Sequence, residues 1–313
     1  VQNKVSIVIP VYNGARVVER LVTSLNSQLS SLNFEIVLVN DGSSDDSDKV
    51  CSDIASHDPK VKFINLSRNF GEHNAVMAGL NYCTGDYAVF LDDDFQNPPS
   101  EIVKLVNKIN EGYDVVFSFY ERKEHHFFRN LGSKFNNYIA SFLIRKPKDL
   151  YLSSFKVINR FMIDEIIKYQ GSYPYIDGII LRSTDKYSTI PVNHNPREEG
   201  ESGYTFGKLV SLWLNMFTSF SILPLRIATV LGFIFSMIGL ILSIVFVIEK
   251  INNPALPIGW ASVTVSIFIL GSVQLFAIGM IGEYLGRLFL NSSGKPQYIV
   301  RTTINCNEDS GKR

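Results

Sequence analysis

The chain has 313 residues and a mass of 35.3 kDa, room for one large domain with an appendage or for two ordinary domains. Thirty Lys and Arg balance thirty Asp and Glu, which excludes a general nucleic-acid binder, because such proteins need a basic surface to displace counterions from phosphates. Apolar residues make up 46% and charged ones 19%, so the bulk of the chain is not disordered. The mean hydropathy of +0.09 points towards a membrane and away from a soluble secreted protein. Cys51, Cys83 and Cys306 show neither CxxC nor Cys/His metal spacing and are expected to stay reduced, in a cytoplasmic setting. The first apolar run, residues 5–11, is short and contains Pro10, so no N-terminal signal peptide is expected.

The first 120 residues alternate between β-rich runs and helical stretches. Strands are expected at 5–10, 35–40, 61–65, 86–91 and 113–118, with helices at 15–29, 45–56, 72–83 and 100–111. Such alternation predicts an α/β fold with a mainly parallel sheet and helices on both faces. Ligands of these sheets bind beyond the carboxyl ends of the strands, so the residues just after each run matter most. After the first run come Pro10, Val11, Tyr12, Asn13 and Gly14; after the second, Asn40, Asp41, Gly42, Ser43 and Ser44. Neither a GxGxxG fingerprint nor a GxxxxGK[ST] loop is present, which disfavours a dinucleotide dehydrogenase and a P-loop NTPase. Asp41 in its DGS turn fits ordinary turn chemistry and also a hydrogen-bond acceptor for a nucleobase or ribose; Ser43 or Ser44 is placed to cap the next helix.

The fourth run leads directly into Asp92, Asp93, Asp94, Phe95, Gln96, Asn97, Pro98 and Pro99. Three successive carboxylates repel one another unless a cation or strong donors neutralise them. Carboxylate and amide oxygens suit a hard divalent ion, Mg²⁺ or Mn²⁺, that keeps substrate phosphate oxygens in its other positions. Further on, Arg122, Lys123, Arg129 and Lys134 are interleaved with His125, His126, Phe127, Phe128 and Phe135. Arg grips a phosphate in bidentate fashion while aromatic rings enter an interface; a solvated basic face reads the same way.

Residues 206–223 carry apolar side chains at 206, 209, 210, 213, 214, 217 and 220. That is helical spacing, for a helix lying in the membrane interface or packed on the soluble domain. Two uncharged runs follow, 227–248 and 258–282. At about 1.5 Å rise per residue each is long enough to cross a hydrocarbon core of roughly 30 Å. A short connection makes them a hairpin, and Arg226, Arg287 and Lys295 outside the spans put both chain ends in the cytoplasm. Gly282 and Gly286 have the spacing for close helix packing, which leaves a homo-oligomer possible. The polar tail from Asn305 to Arg313 is expected to be loose.

Residues 6–13 (SIVIPVYN), 39–45 (VNDGSSD) and 91–99 (LDDDFQNPP) together resemble the family 2 glycosyltransferases of GT-A fold. More narrowly, residues 66–79 (LSRNFGEHNAVMAG), 197–204 (REEGESGY) and 282–287 (GEYLGR) resemble the polyprenyl-phosphate glycosyltransferases, a group with dolichol-phosphate mannose synthases and bacterial undecaprenyl-phosphate transferases. The resemblance spans about residues 4 to 300. It implies a cytoplasmic GT-A domain at 1–200, a closing loop and interfacial helix at 201–225, two transmembrane helices at 226–290 and a tail at 291–313. Pro10, Tyr12, Asp41 and Asp93 would line the nucleotide pocket, and Asp92, Asp94 and Gln96 would hold Mg²⁺ or Mn²⁺. Arg129 and Ser133 would bind the acceptor phosphate, with Arg122 and Lys134 beside them, and Arg197 and Ser202 would lie on the closing loop.

The implied reaction moves a sugar from a nucleotide sugar, with UDP-glucose the default donor, to a polyprenyl phosphate such as undecaprenyl phosphate. Inversion is expected, with Asp92, Asp94 and Arg129 as the catalytic set. No nucleic acid takes part, and a separate flippase would carry the product across the bilayer. Two departures stand out: Tyr120 occupies the place of an acceptor-binding Arg, and Ser153-Ser154 followed by Phe155-Lys156 replaces an acidic residue followed by Phe-Arg. The rival readings are a processive polysaccharide synthase, which would carry a QxxRW motif absent here, and a non-catalytic membrane scaffold.

Overall fold

The computed structural model of the chain describes residues 3–120, 150–171, 174–193, 195, 223–253, 259–292 and 296–306. The chain divides into two units, Val1–Thr205 with Lys295–Arg313, and Phe206–Gly294.

In the first unit β1 (Lys4–Val11), α1 (Val18–Gln28), β2 (Asn33–Asn40), α2 (Ser47–His57), β3 (Val61–Leu66), α3 (Glu72–Tyr82), β4 (Tyr87–Phe90), α4 (Glu101–Ile109) and β5 (Val115–Tyr120) follow the predicted alternation closely. Beyond them come β6 (Lys156–Asn159), α5 (Arg160–Ile166), α6 (Ile176–Ser183), β7 (Tyr187–Val192) and, after the second unit, β8 (Val300–Ile304). The eight strands form one sheet in the order β7-β5-β6-β4-β1-β2-β3-β8. The pairs β1–β2, β1–β4, β2–β3 and β5–β7 are parallel, and β3–β8, β4–β6 and β5–β6 are antiparallel.

Alternation along each strand feeds two cores. From β1, Val5, Ile7, Ile9 and Val11 meet Leu21 and Leu25 of α1, Cys51 of α2 and Leu105 of α4. Val8 points the other way, to join Met77 of α3, Met162 of α5 and Ile180 of α6. Helices thus cover both faces of the sheet. A carbon side chain on Gly79 of α3 would overlap Val8, so that glycine lets α3 lie close on the sheet.

The segment after the second unit carries a strand that the sequence did not announce, and of the tail expected to be loose only Asn305 and Cys306 fall within the described residues. β8 pairs antiparallel with β3, and Asn305, with a φ of 58°, donates from Nδ2 to the carbonyls of Ala55 at 2.6 Å and Val61 at 2.8 Å. Gln297 Nε2 donates to the carbonyls of Tyr169 and Gly171, both at 2.7 Å. A strand of five residues with three exposed positions has no core pattern of its own, which is why only its partner reveals it.

The second unit holds α7 (Leu223–Asn252) and α8 (Trp260–Ser292), which are in contact with each other. Among the described residues one stretch, Ile269–Gly286 of α8, is long and apolar enough to cross a membrane. In α7 the corresponding stretch, Ala228–Gly239, is shorter, so the structure gives one candidate span where the sequence predicts two. A Cβ at Gly282 or Gly286 would meet nothing within 4 Å among the described residues. The expected interfacial helix at 206–223 lies almost wholly outside the described residues.

Candidate active site

The strand order reverses between β1 and β4, whose neighbours lie on opposite sides, so the crevice beyond their carboxyl ends is the topological switch point of the sheet. Four segments meet there. The turn after β1 carries Tyr12, which is 53% exposed, and Asn13, whose φ of 56° is a conformation Asn tolerates better than most residues. Asn13 Oδ1 accepts from the Ser44 amide at 2.8 Å, and the Asn13 and Gly14 amides donate to Ser43 Oγ and Ser47 Oγ, both at 3.0 Å. The turns after β1 and β2 are therefore one body. Ser43 and Ser44 serve that junction and do not cap α2, whose N-cap position is Asp46.

Asp41, at the end of β2, is 3% exposed. Its Oδ1 accepts from the Phe70 amide at 2.7 Å and its Oδ2 from the Gly71 amide at 2.9 Å. Burial raises its pKa above the usual carboxylate value and these two amides oppose that rise. The carboxylate clamps the loop between β3 and α3 against the end of β2. Gly42, with φ of 62°, permits the closeness: a Cβ there would overlap the Arg68 and Asn69 backbone.

The acidic turn follows β4. Asp93 packs against Gly14, where a Cβ would overlap Asp93 Oδ2. Asp94 Oδ1 accepts from the Gln96 amide at 3.1 Å, and the Gln96 carbonyl accepts from the Asn195 amide at 2.9 Å. Phe95 adopts a φ of 57°, a strained backbone for an aromatic residue, and its ring lies under the Arg20 guanidinium at 5.4 Å. Asp92 Oδ2 accepts from Ser154 Oγ at 2.6 Å. Among the described residues no group of three or more His, Cys, Asp or Glu is arranged to hold a metal ion. Two carboxylates with the Gln96 amide on one turn are nonetheless a fitting oxygen set for Mg²⁺ or Mn²⁺, which is bound through one or two carboxylates plus substrate phosphates in such sites.

The fourth segment is the start of α3. Glu72 follows Gly71, whose φ is 91°, and precedes His73, whose ring meets Tyr175 edge-on at 5.5 Å. It is thus pinned between the Asp41 clamp on one side and the start of α6 on the other. Although Glu72 opens to solvent, the surrounding walls desolvate it and the Asp92 charge adds to this, so that its pKa is pushed up to about 7; Lys156 opposes the rise, and Asp177 and Asp41 add to it. Burial lowers His73, which favours the neutral ring. Lys156, 4% exposed, is paired with Asp177 in the first turn of α6. The rings of Phe90 and Phe117 flank its ammonium group at 5.6 and 5.5 Å.

Of the residues singled out by sequence, Tyr12, Asp41, Asp92, Asp93, Asp94 and Gln96 lie in the segments at this crevice, and Pro10 lies within β1 opposite Val39. Arg122, Arg129, Ser133, Lys134, Arg197 and Ser202 lie outside the described residues. Tyr120 is a structural joint: its hydroxyl donates to Asn97 Oδ1 at 3.0 Å and lies 3.3 Å from Ser153 Oγ. Phe70, Gly71, Glu72 and His73 enter the sequence reading only inside the 66–79 stretch, with no role for any of them, and Asp177 is not singled out there. The 66–79 stretch, with a glycine directly before a helix, was the local sign of the amides and Glu72, whereas the pairing of Lys156 with Asp177 has no local signal.

A family model described as "Glycosyl transferase family 2" matches residues 6–167. The undecaprenyl-phosphate 4-deoxy-4-formamido-L-arabinose transferase of Enterobacter sp. (strain 638) is 35% identical over 311 residues, covering 97% of this chain and 94% of that protein. Its namesake from Proteus mirabilis (strain HI4320) is 33% identical over 310 residues, covering 96% and 94%. Among solved structures, glucosyl-3-phosphoglycerate synthase from Mycobacterium tuberculosis, in complex with Mn²⁺, UDP-glucose and phosphoglyceric acid, matches with a TM-score of 0.51 at 18% identity, over 68% of this chain and 77% of that one. The last likeness extends to the fold alone. With a crevice of this construction and relatives alike from end to end, the chain belongs to glycosyl transferase family 2 and, within it, to the polyprenyl-phosphate glycosyltransferases.

Proposed function

We propose that the protein is a membrane-bound, metal-assisted, inverting transferase that moves a sugar from a UDP-sugar to undecaprenyl phosphate. The observation that carries this reading is the meeting of the Asp92–Asp94 turn with the Tyr12–Gly14 turn at the switch point, in a chain whose relatives of that name match 94% of their length. The default donor from sequence is UDP-glucose; the names of these relatives favour 4-deoxy-4-formamido-L-arabinose. The exposed apolar side chains of α7 and α8, such as Phe233, Leu275 and Phe289, support lipid as the solvent of both helices, and hence the two-span hairpin with the catalytic unit in the cytoplasm. A separate flippase would then move the product.

In this mechanism Tyr12 and the Asp41-clamped loop receive the nucleoside. Asp92, Asp94 and Gln96 would hold Mg²⁺ or Mn²⁺ against the donor diphosphate, a role in keeping with the Mn²⁺ complex of the mycobacterial fold relative. When bound, the ion neutralises charge on the departing nucleoside diphosphate. The acceptor phosphate monoester has its second pKa at about 6 and is largely dianionic at neutral pH, so its oxygen attacks the anomeric carbon without a general base. The bond from that carbon to the diphosphate oxygen breaks on the opposite face, and UDP leaves with the electron pair. Arg129 and Ser133, with Arg122 and Lys134, hold the attacking phosphate in line, and Arg197 and Ser202 close over the donor.

The test is a transfer assay with purified protein, undecaprenyl phosphate, Mn²⁺ or Mg²⁺ and a panel of radiolabelled nucleotide sugars that includes UDP-glucose and the formamido pentose. A labelled lipid of inverted anomeric configuration, absent in Asp94→Ala, is expected. Retained configuration overturns the single-step mechanism. Tight UDP binding with no labelled lipid from any donor favours the scaffold reading.

A further inference from the structure

We infer that Ser154 is a positioning residue for Asp92, and that the adjacent serines Ser153 and Ser154 form a two-sided clasp joining the acidic turn to the sheet. The inference rests on the metal-assisted reading of Asp92 above.

An exposed serine is ordinarily free to rotate, and its hydroxyl exchanges among water and neighbours. Ser154 is held in place from below. Its neighbour Ser153 is 4% exposed, and Ser153 Oγ accepts from the Phe155 amide at 3.2 Å. The same oxygen lies 2.9 Å from Ser118 Oγ and 3.3 Å from the Tyr120 hydroxyl. Ser118 Oγ in turn donates to the Phe155 carbonyl at 2.7 Å. Residues 153–155 are therefore fastened to the carboxyl end of β5, and Phe155 is fully buried in the core shared with α4. From this anchored backbone Ser154 Oγ reaches outwards and donates to Asp92 Oδ2 at 2.6 Å, a length characteristic of a hydroxyl bound to a charged carboxylate.

The clasp closes twice. Besides the Ser154–Asp92 bond, the Tyr120 hydroxyl donates to Asn97 Oδ1 at 3.0 Å, so both ends of the turn from Asp92 to Asn97 are tied to the same body. Asp92 stands two residues past the end of β4, outside any helix; Ser154 limits which way its carboxylate faces. Outer partners of metal-ligating carboxylates act in this manner, and their loss costs on the order of 10- to 100-fold in metal affinity or activity. A serine here supplies a proton donor, whereas an acidic residue in its place would set a second negative charge beside Asp92.

The experiment measures Mn²⁺ binding to full-length protein in detergent, by electron paramagnetic resonance with saturating UDP, for wild type, Ser154→Ala and Ser154→Thr. Melting temperature and metal-free UDP affinity are recorded for each. The expected result is a Mn²⁺ dissociation constant about tenfold weaker in Ser154→Ala and within about threefold of wild type in Ser154→Thr, with unchanged melting temperature and metal-free UDP affinity. Equal Mn²⁺ affinity in all three, or the same loss in Thr as in Ala, overturns the inference while leaving the metal-assisted reading intact. Wild-type protein that binds UDP but no Mn²⁺ overturns both.

Discussion

The two edges of one sheet treat carboxylates in opposite ways. At the amino edge, Glu35 is 3% exposed and receives Lys4 Nζ at 2.5 Å, Thr84 Oγ1 and Ser6 Oγ each at 2.7 Å and the Thr84 amide at 2.8 Å, with Lys62 at 3.2 Å. Burial pushes this carboxyl up, but Lys4 and the Thr84 and Ser6 donors outweigh it and hold it at about 2. At the carboxyl edge, burial and the charges of Asp92, Asp177 and Asp41 push the Glu72 carboxyl up, and Lys156 opposes them. The first arrangement is complete and serves the fold alone. The second sets three carboxylates around Glu72 against one opposing ammonium among the described residues, a crowding of the kind found at functional sites.

The largest effects separate the two edges by function. Asp94→Ala should lower sugar transfer by 10²-fold or more, as loss of a preorganised electrostatic partner does, while the melting temperature stays near that of wild type. Glu35→Gln should do the reverse. Its folded-state pKa lies below the unfolded one, so Glu35 contributes stability that is present above the unfolded value of 4.5 and is lost as pH falls towards about 2. The shift corresponds to about 3 kcal/mol at neutral pH. Unfolding of wild type and variant in detergent, followed from pH 7 down to pH 3, should show the gap between them closing. A gap constant with pH would mean that packing, and not charge, sets the loss.

A middle-sized effect tests whether the carboxyl edge depends on close backbone approach. Gly42 and Gly112 both have positive φ, 62° and 101°, and an alanine at either is strained by about 1 kcal/mol. Only at Gly42 does the new Cβ collide with backbone, that of Arg68 and Asn69. Gly42→Ala should therefore weaken UDP binding several-fold by moving the loop that Asp41 clamps, whereas Gly112→Ala should cost stability alone. Equal UDP affinity in both variants would remove the clamp from the nucleotide site.

Much of this contrast was readable in advance at one edge and hardly at the other. The run-then-turn pattern placed β1 to β5 and put Tyr12, Asp41 and Asp92–Asp94 at strand ends, because parallel strands announce themselves by continuous apolar runs. β6 escaped notice because Lys156 and Asn159 bracket only two apolar residues. β8 escaped because its exposed Arg301, Thr302 and Thr303 look like tail. The Lys156–Asp177 pair, the Ser154–Asp92 bond and the Lys4–Glu35 pair join residues 21, 62 and 31 positions apart. Partners so distant in sequence are decided by topology, set by the parallel β1–β2 pairing for Lys4 and Glu35 and by the antiparallel β4–β6 pairing for Ser154 and Lys156, and no local pattern encodes them.

The smallest effect is the most specific to the crowded edge. Glu72 is pushed up to about 7 from an ordinary 4.5, by desolvation first and by Asp92 next. An acid raised on folding contributes stability that is full below its unfolded pKa and is lost as pH rises through the folded one. Between pH 5 and pH 8 the wild-type protein should thus lose stability that Glu72→Gln, which never ionises, keeps. The variant should melt at nearly the wild-type temperature at pH 5 and slightly above it at pH 8. Solvent reaches the Glu72 side chain and screens its neighbours, so the separation is small but its sign is fixed. A variant that melts below wild type by the same margin at both pH values would show that Glu72 is held by contacts and not crowded by charge, and the contrast between the two edges would then rest on Glu35 alone.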